Sequence, residues 1–406
     1  MNQAEKNGRY LLSKVPEVTI FFWIIKILCT TVGETFSDFI NENLGLGLIN
    51  TTIIMGIAFF AVVYFQFRVT KYIPGLYWLT VVLISVFGTL VTDNLTDGMS
   101  VPLEFSTILF SILLLLTFLF WFLKEKTLSI HSIYTRRREV FYCLTILFTF
   151  ALGTAVGDLY SEHLGLGYLP TGILVASIIV CIFLVYRFLK LDAVLSFWVA
   201  YIFTRPLGAS IGDFLSQPSK YGGLGLGATI TSLIFLSAIL GIIIFLAVTK
   251  CDIKSGKETY EDQHREDQYE IEINKNVLRQ TIAVLCVFLV VGTSSYVYLS
   301  NRITKQTDAS QTTLKGQLTD FIITENSMLS DVNANDFTAA KTGADDLEHE
   351  WDTQAAALQK TDKKTWSEID GTIDSVLAST RSGNPDSSKC LTALTDSLSA
   401  LNTANE

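Results

Sequence analysis

Four acidic side chains recur at one position of a short sequence pattern, and their chemistry is that of a cation site. Each acid lies five residues after a glycine and directly after a small residue. Carboxylate oxygens are preferred ligands of hard cations such as Mg²⁺, Ca²⁺ and Mn²⁺. The four acids, which are also the predicted metal ligands, are Asp38, Asp93, Asp158 and Asp213.

A second polar side chain follows each acid by four residues. Residues four apart lie on the same face of a helix, so each copy of the pattern would present two polar groups together. Glu34 adds another carboxylate to the first copy. The second polar residues, which complete the predicted cation-binding set, are Glu42, Asp97, Glu162 and Gln217.

The pattern belongs to a longer repeat. Residues 33–47 (GETFSDFINENLGLG) align without a gap with residues 153–167 (GTAVGDLYSEHLGLG). Glycine followed four residues later by a small residue predicts close helix packing. An acid within hydrocarbon is costly and marks a functional path by default, but acids at the membrane interface could instead cap the hairpin turns. The repeat glycines are Gly33, Gly88, Gly153 and Gly208.

The composition is that of a membrane protein. Half of the residues are hydrophobic and only 17% are charged, which excludes a single soluble domain. The net charge of −9 argues against nucleic acid as a partner. A membrane-spanning helix needs about 20 apolar residues. Nine segments satisfy this, near 18–40, 45–66, 76–95, 102–123, 139–161, 167–189, 193–215, 225–249 and 278–299.

Lysine and arginine gather in every second connection, which predicts the orientation in the bacterial cytoplasmic membrane. The positive-inside rule places the N-terminus in the cytoplasm and the polar C-terminal segment outside. The fold expected is an all-α, multi-pass membrane protein, with four tandem hairpins of one orientation (eight spans), a ninth span and an outer helical bundle. Its parts are a membrane domain at 1–250 (hairpins at about 14–70, 76–124, 138–190 and 192–250), a charged cytoplasmic linker at 251–276, the ninth span at 277–300 and the extracytoplasmic domain at 301–406.

Two basic residues interrupt the apolar spans. Lys26 lies within span 1, upstream of Glu34, and Arg205 lies within span 7, upstream of Asp213. A buried cation beside acids can be a fixed counter-charge or a member of a proton-coupled relay. It can equally form a structural salt bridge, because an unpaired charge there is very costly.

The segment 301–406 shows apolar residues at helical spacing, with Asn-Asp, Thr-Asp and Gly-Asn-Pro-Asp breaks between the stripes. This pattern predicts a small up-down helical bundle that could bind an extracytoplasmic protein partner. The sequence contains no nucleophile motif, phosphate-binding loop or zinc-binding spacing, so neither an enzyme nor a cofactor is expected.

The segments KVPEVTIFFWIIKILCTTVGETFSDF (Lys14–Phe39) and RPLGASIGDF (Arg205–Phe214) carry a family resemblance. The chain resembles a bacterial and archaeal family of integral membrane proteins built from four copies of a short repeat, known as uncharacterised membrane-anchored proteins. The resemblance covers residues 14–250 and implies the four-repeat membrane architecture, but no function. The segment 301–406 lies outside it.

The repeated acids favour one function. This is a polytopic transporter for a small cation, most simply a divalent metal as substrate, within the lipid bilayer. The alternative is an envelope sensor or scaffold whose outer helical domain is the interaction module. An intramembrane enzyme is the third and least supported hypothesis. The sequence does not predict the ion, the direction of transport or the oligomeric state.

Overall fold

A computed structural model gives the architecture of most of the chain. Within the part that it describes, the regular structure is helical, without strands, which confirms the all-α class. The described residues are 14–44, 46–96, 99, 101–133, 135–217, 222–252, 275–306, 313–382 and 385–406. Most of the predicted linker 251–276 therefore lies outside the described residues.

Each repeat contributes two consecutive helices. The first helix of each pair is called inner and the second outer. The inner helices are α1 (Ile20–Asp38), α3 (Pro74–Thr96), α5 (Arg136–Asp158) and α7 (Ala193–Ser216). The outer helices are α2 (Leu48–Arg68), α4 (Leu103–Glu125), α6 (Tyr168–Leu189) and α8 (Gly227–Thr249).

The nine predicted spans are confirmed as helices long and apolar enough to cross a bilayer, and their ends differ from the predictions by a few residues. Burial separates the two kinds of helix. Between 56 and 67% of each inner span is buried inside the protein, against 17 to 28% of each outer span. The apolar faces of the outer helices are therefore left for lipid. The ninth span lies in α9 (Lys275–Gln306), and none of its window is buried.

The inner helices form a closed ring. Helix α1 packs on α3, α3 on α5, α5 on α7, and α7 returns to α1. Each outer helix packs mainly on the inner helix of the next repeat, so α2 lies on α3, α4 on α5 and α6 on α7. Helix α8 completes the cycle by packing on α1. The repeats are thus interlocked around one axis.

The repeat glycines lie at the seams of this ring. A Cβ added to Gly33 would collide with Ser85, and one added to Gly208 would collide with Thr30. Similarly, a Cβ on Gly88 would lie 2.9 Å from the Phe150 Cβ. Every contacted residue stands three positions before the glycine of its own repeat. Equivalent positions of neighbouring repeats therefore lie at one level of the ring, and glycine is what allows the helices to approach.

The Leu-Gly-Leu-Gly segments shape the turns into three outer helices. The last glycine of each segment has a positive φ, of 73° at Gly47, 83° at Gly167 and 75° at Gly227. Side-chain-bearing residues rarely adopt this conformation, which explains the glycine requirement. The second repeat lacks the segment, and there Pro102 precedes α4 instead. Proline is well tolerated at a helix start.

Two short π-helices extend the acid-bearing ends of α1 and α5. They are π1 (Phe39–Asn43) and π2 (Leu159–His163), and they begin directly after Asp38 and Asp158. The sequence pattern gave no signal for them. Single-turn π-helices often occur at functional sites, so this end of the ring is a candidate functional site.

The C-terminal segment forms the predicted helical bundle. It consists of four helices, α10 (Thr319–Asn333), α11 (Phe337–Thr361), α12 (Lys363–Arg381) and α13 (Ser387–Asn405). Its helices α10 to α13 pack in a closed cycle around a core that includes Phe321, Trp351 and Leu394. Helix α11 contacts π2 and α12 contacts π1, so the bundle rests on the acid-bearing end of the ring.

One carboxylate is buried in the core of this bundle. Glu325 on α10 is fully buried, and its Oε1 accepts a 2.6 Å hydrogen bond from Ser397 Oγ. Its Oε2 has no hydrogen-bond partner among the described residues. Burial raises the pKa of Glu325 to about 7, an effect that the hydrogen bond from Ser397 opposes.

We expect this carboxylate to make the bundle less stable as the pH rises. The folded state holds the proton of Glu325 more tightly than the unfolded state does. The stabilisation from this proton is therefore fully present below the unfolded pKa of about 4.5, and it is lost as the pH rises to the folded pKa of about 7. The loss in unfolding free energy should be about 3 kcal/mol. Hydrogen exchange of α10 and α13 amides in the full chain, corrected for intrinsic rates, measures it.

Glu325→Gln should abolish this pH dependence while keeping the side-chain shape. Glu368→Gln is the matched control, because its carboxylate is exposed in the same bundle. Equal pH dependence in wild type and Glu325→Gln would show that other groups control the stability of the bundle.

Candidate functional site

The inner helices place a column of polar side chains along the axis of the ring. We call the end that carries the repeated aspartates the acid end, and the opposite end, where Lys14 lies, the Lys14 end. One layer of the column consists of the residues that directly follow the repeat glycines. They are Glu34, Thr89, Thr154 and Ala209.

Arg205 occupies the centre of this layer. Its side chain is completely buried, and its Nη2 donates to Glu34 Oε2 at 2.5 Å, to Thr154 Oγ1 at 2.7 Å and to the Thr89 hydroxyl. Its Nη1 donates to the Thr30 carbonyl oxygen at 3.0 Å. The guanidinium thus joins all four inner helices. Arg205 closes the axis at this level.

Arg205, which the sequence suggested as a counter-charge, therefore has a specific acidic partner. The sequence placed Arg205 upstream of Asp213, but its ion pair is with Glu34 on the neighbouring helix α1. Asp213 does interact electrostatically with Arg205. The repeat alignment already contained a signal for this arrangement, since Ala209 is the one small residue in a layer otherwise made of Glu and Thr.

Several of the predicted acids converge above Arg205 at the acid end. The carboxylate of Asp158 interacts with those of Glu34, Asp93, Glu162 and Asp213. Asp213 is buried, whereas Asp158 is half-buried. Like charges that interact in a partly buried place repel one another, so a cation or protons would stabilise the group. We call these five residues the acid cluster.

The remaining predicted site residues are placed less centrally. Asp38 is half-buried and lies 3.5 Å from the hydroxyl of Ser37. Gln217 directly follows α7 as its C-cap, and its backbone N–H donates to the Asp213 carbonyl oxygen at 2.8 Å. The backbone of Glu42 belongs to π1, while its side chain and all of Asp97 lie outside what the structure describes.

The acid cluster is not a ready-made metal cage. Among the described residues, no three His, Cys, Asp or Glu side chains are arranged to hold one metal ion. The assignment of Asp38, Asp93, Asp158 and Asp213 as direct metal ligands stays a prediction.

Lys26 lies in the column on the other side of Arg205. It is fully buried, and its Nζ sits 3.8 Å from the centroid of the Phe150 ring and 4.2 Å from that of Tyr201. No hydrogen-bond partner of Nζ is found among the described residues. Unlike Arg205, Lys26 is therefore not part of a salt bridge within the described structure.

The Lys14 end carries an ion pair that the sequence patterns did not predict. Lys14 Nζ lies 2.6 Å from Glu139 Oε2, and Gln66 Nε2 donates to Glu139 Oε1 at 3.3 Å. A small cavity beside them is also lined by Tyr77 and Tyr142, whose hydroxyls are 2.6 Å apart. The repeat pattern could not reveal this pair because Lys14 precedes the first repeat.

Fold and site together define a class of protein. The interlocked helices are those of a multi-pass membrane protein built from a fourfold repeat, with charged groups along its axis. The chain belongs to the family described as Repeat of Unknown Function (DUF347), whose model matches residues 21–72, 76–127, 141–191 and 196–251. The four predicted copies of the repeat are thereby confirmed. No curated protein and no solved structure matches the chain.

Proposed function

We propose that this protein is a membrane transporter for a small cation that binds at the acid cluster. One observation carries the proposal, which is that the acids of different repeats interact with one another near the axis. Asp93, Asp158 and Asp213 come from three repeats, and Glu34 and Glu162 interact with them. Side chains that only capped separate hairpin turns would not be expected to gather near one axis. Ionisable groups inside a helical bundle are costly and typically line ion paths.

Arg205 supplies the barrier that a transporter needs between its two sides. Its guanidinium fills the axis directly below the acid cluster and is held by groups from α1, α3 and α5. A cation reaching the cluster would compete with Arg205 for Glu34. Release of Glu34 by Arg205 would then be the local event that opens the axis, an alternating-access step between two states of one ring.

The carboxylate chemistry favours a hard cation, and a divalent metal is the substrate that we propose first. Mg²⁺ and Mn²⁺ bind through oxygen ligands. A partly hydrated ion needs only one or two direct carboxylates, so it does not require the three-ligand arrangement that is absent among the described residues. On the predicted sidedness, the acid end would face the outside of the cytoplasmic membrane.

A sensor is the second candidate, because the C-terminal bundle contacts π1 and π2. These segments directly follow Asp38 and Asp158, so occupancy of the acid cluster could be transmitted to the bundle. In that case the outer bundle would be the module that binds a protein partner. Binding of a cation without its passage across the membrane would favour this function.

Asp158→Asn and Asp213→Asn test the cation site. Binding to the native state stabilises it by about 2.7 kcal/mol at a ligand concentration of one hundred times Kd. We expect Mn²⁺ or Mg²⁺ to raise the melting temperature of the purified wild type, and each substitution to reduce that rise strongly. Uptake of the same ions into proteoliposomes should fall in parallel, while melting without added ions stays near that of wild type.

Asp192→Asn is the matched control. It removes a carboxylate at the other end of α7, and Asn is as good a helix cap as Asp. If all three variants respond to the ions as the wild type does, the acid cluster is not a cation site and the proposal fails. Na⁺ and K⁺ in the same assay separate a monovalent from a divalent substrate.

A further inference from the structure

Lys14 and Glu139 form a buried ion pair that has no part in cation binding at the acid cluster. Their side chains are only 8% and 3% exposed, and they lie at the opposite end of the ring. Arg136 also attracts Glu139 electrostatically, but Arg136 is exposed. Buried charges in proteins are either paired or coordinate a metal ion, and Glu139 uses the first of these two solutions.

The residue that supplies the positive charge does not belong to the ring of helices. Lys14 lies in the irregular segment 14–19, which precedes α1. Backbone hydrogen bonds join this segment to other parts of the chain. The Lys14 N–H donates to the Ile133 carbonyl oxygen at 3.3 Å, and the Glu17 N–H donates to the Asp252 carbonyl oxygen at 3.0 Å. The segment can therefore move away, and take the ammonium with it, without unfolding a membrane-spanning helix.

The groups around the ammonium include the oxygen ligands that hard cations prefer. The ammonium nitrogen lies 2.6 Å from Glu139 Oε2 and 3.5 Å from the Phe67 carbonyl oxygen. The side chains of Gln66, Tyr77 and Tyr142 line the same small cavity. Carboxylates, backbone carbonyls and side-chain amides bind hard cations directly, and hydroxyls can hold the remaining waters of a partly hydrated ion.

A second buried carboxylate lies at this end of the ring. Asp252 is 2% exposed, and its Oδ2 accepts a 2.7 Å hydrogen bond from the Tyr72 hydroxyl. Its Oδ1 has no hydrogen-bond partner among the described residues. The Tyr72 ring packs against the ring of Tyr77, which lines the cavity. A cation at this end would therefore be attracted by two buried carboxylates and not by Glu139 alone.

We infer that the Lys14 end contains a second binding site for a small hard cation, and that the Lys14 ammonium takes the place of the ion there. An ion that enters the cavity competes with Lys14 for Glu139 and displaces segment 14–19. Because Lys14 is tethered beside the site, its effective concentration is high, so the site binds the ion weakly and releases it readily. On the predicted sidedness this end faces the cytoplasm. Its use as the exit of a transport path rests on the proposed function, whereas ion binding and release of Lys14 do not.

Chemical labelling of the purified full chain tests the release of Lys14. A water-soluble amine-reactive ester should modify the buried, paired Lys14 slowly. Mn²⁺, Mg²⁺ or Na⁺ should raise its rate about tenfold or more, as expected when a ligand increases the population of a minor state. The exposed Lys124 is the internal reference, and its rate should stay constant. Glu139→Gln should be labelled at Lys14 rapidly with or without the ions. Mass spectrometry of the peptides measures each rate.

Lys14→Met tests ion binding once the acid cluster has been disabled by Asp158→Asn and Asp213→Asn. Loss of the ammonium leaves Glu139 as an unpaired buried charge, so the melting temperature should fall and Mn²⁺ should restore it. Lys14→Arg in the same background is the matched control, because it keeps a positive charge beside Glu139 and should respond little to Mn²⁺. Adding Glu139→Gln to Lys14→Met should remove the response to Mn²⁺ and raise the melting temperature without ions.

The outcomes separate this site from the proposed function. Labelling of Lys14 that is independent of all three ions, in the wild type and in Asp158→Asn/Asp213→Asn, would overturn the second site and leave the acid cluster unaffected. Equal responses of Lys14→Met and Lys14→Arg to Mn²⁺ would also overturn it. If Lys14→Met does not fold, labelling of the other two proteins decides. Absence of Mn²⁺ uptake by wild-type proteoliposomes would instead contradict transport, and labelling would still show whether an ion displaces Lys14.

Discussion

Glu34→Ala should lower the free energy of unfolding of the membrane domain by about 3–5 kcal/mol, because it leaves Arg205 as a buried charge without its anion. The pair is 2.5 Å long, and the Arg205 side chain is fully buried. The remaining hydrogen-bond partners of Arg205 are two threonine hydroxyls and one carbonyl oxygen, none of which carries a charge. Denaturant titration of the protein in detergent, followed by far-ultraviolet circular dichroism, measures the loss.

A double variant distinguishes the ion pair from simple loss of side-chain volume. Glu34→Gln combined with Arg205→Met removes both charges and should recover much of the stability, since replacing a whole buried pair is often nearly neutral. Glu368→Ala, in an exposed pair with Lys364, should change stability by less than about 1 kcal/mol. If Glu34→Ala matched the Glu368→Ala control, the pair would not hold the ring together.

Gly208→Leu should cost about 3 kcal/mol or more, because the ring has no room for a side chain at this seam. A Cβ at Gly208 would lie 2.9 Å from the Thr31 backbone nitrogen and would collide with the Thr30 side chain. The backbone cannot yield easily, so α7 would have to move away from α1. The same unfolding assay in detergent measures this effect.

Gly241→Leu is the matched control for this substitution. Gly241 also lies within a helix, α8, but a Cβ there would meet nothing within 4 Å. Leucine should raise helix stability at this site by up to about 1 kcal/mol. Similar losses in both variants would mean that the glycines act through backbone flexibility and not through close packing.

The repeat was the feature of the sequence that predicted the most. Aligning its copies identified the aspartates and the glycines, and the glycines lie at helix seams as expected for small residues at that spacing. The lengths of the apolar segments predicted the nine spans, because the thickness of the hydrocarbon core sets the length of a membrane-spanning helix. The sidedness of the hairpins stays a prediction, since it depends on the membrane and not on contacts within the chain.

Other features could not be predicted because they depend on contacts between distant segments. Arg205 pairs with Glu34, which is far away in the sequence, and only closure of the ring brings them together. The Lys14–Glu139 pair joins an N-terminal segment to the third repeat for the same reason. Burial of Glu325 requires α10 and α13 to pack together, although the apolar stripes did predict a bundle. The π-helices are local shifts of hydrogen bonding that leave no mark on the spacing of side chains.

The interlocking of the repeats has a consequence for how the chain is made. Helix α1 leaves the ribosome well before its covering partner α8, because the six helices α2 to α7 lie between them in the chain. During synthesis α1 is therefore in the bilayer without α7 and α8, and Lys26 and Glu34 lie on its surface until the fourth repeat, which contains Arg205, has been made. Contacts between such distant segments form slowly. Ring closure would thus have to follow insertion of the fourth repeat, and a nascent chain stopped after three repeats would expose both buried charges of α1 to lipid or to the insertion machinery.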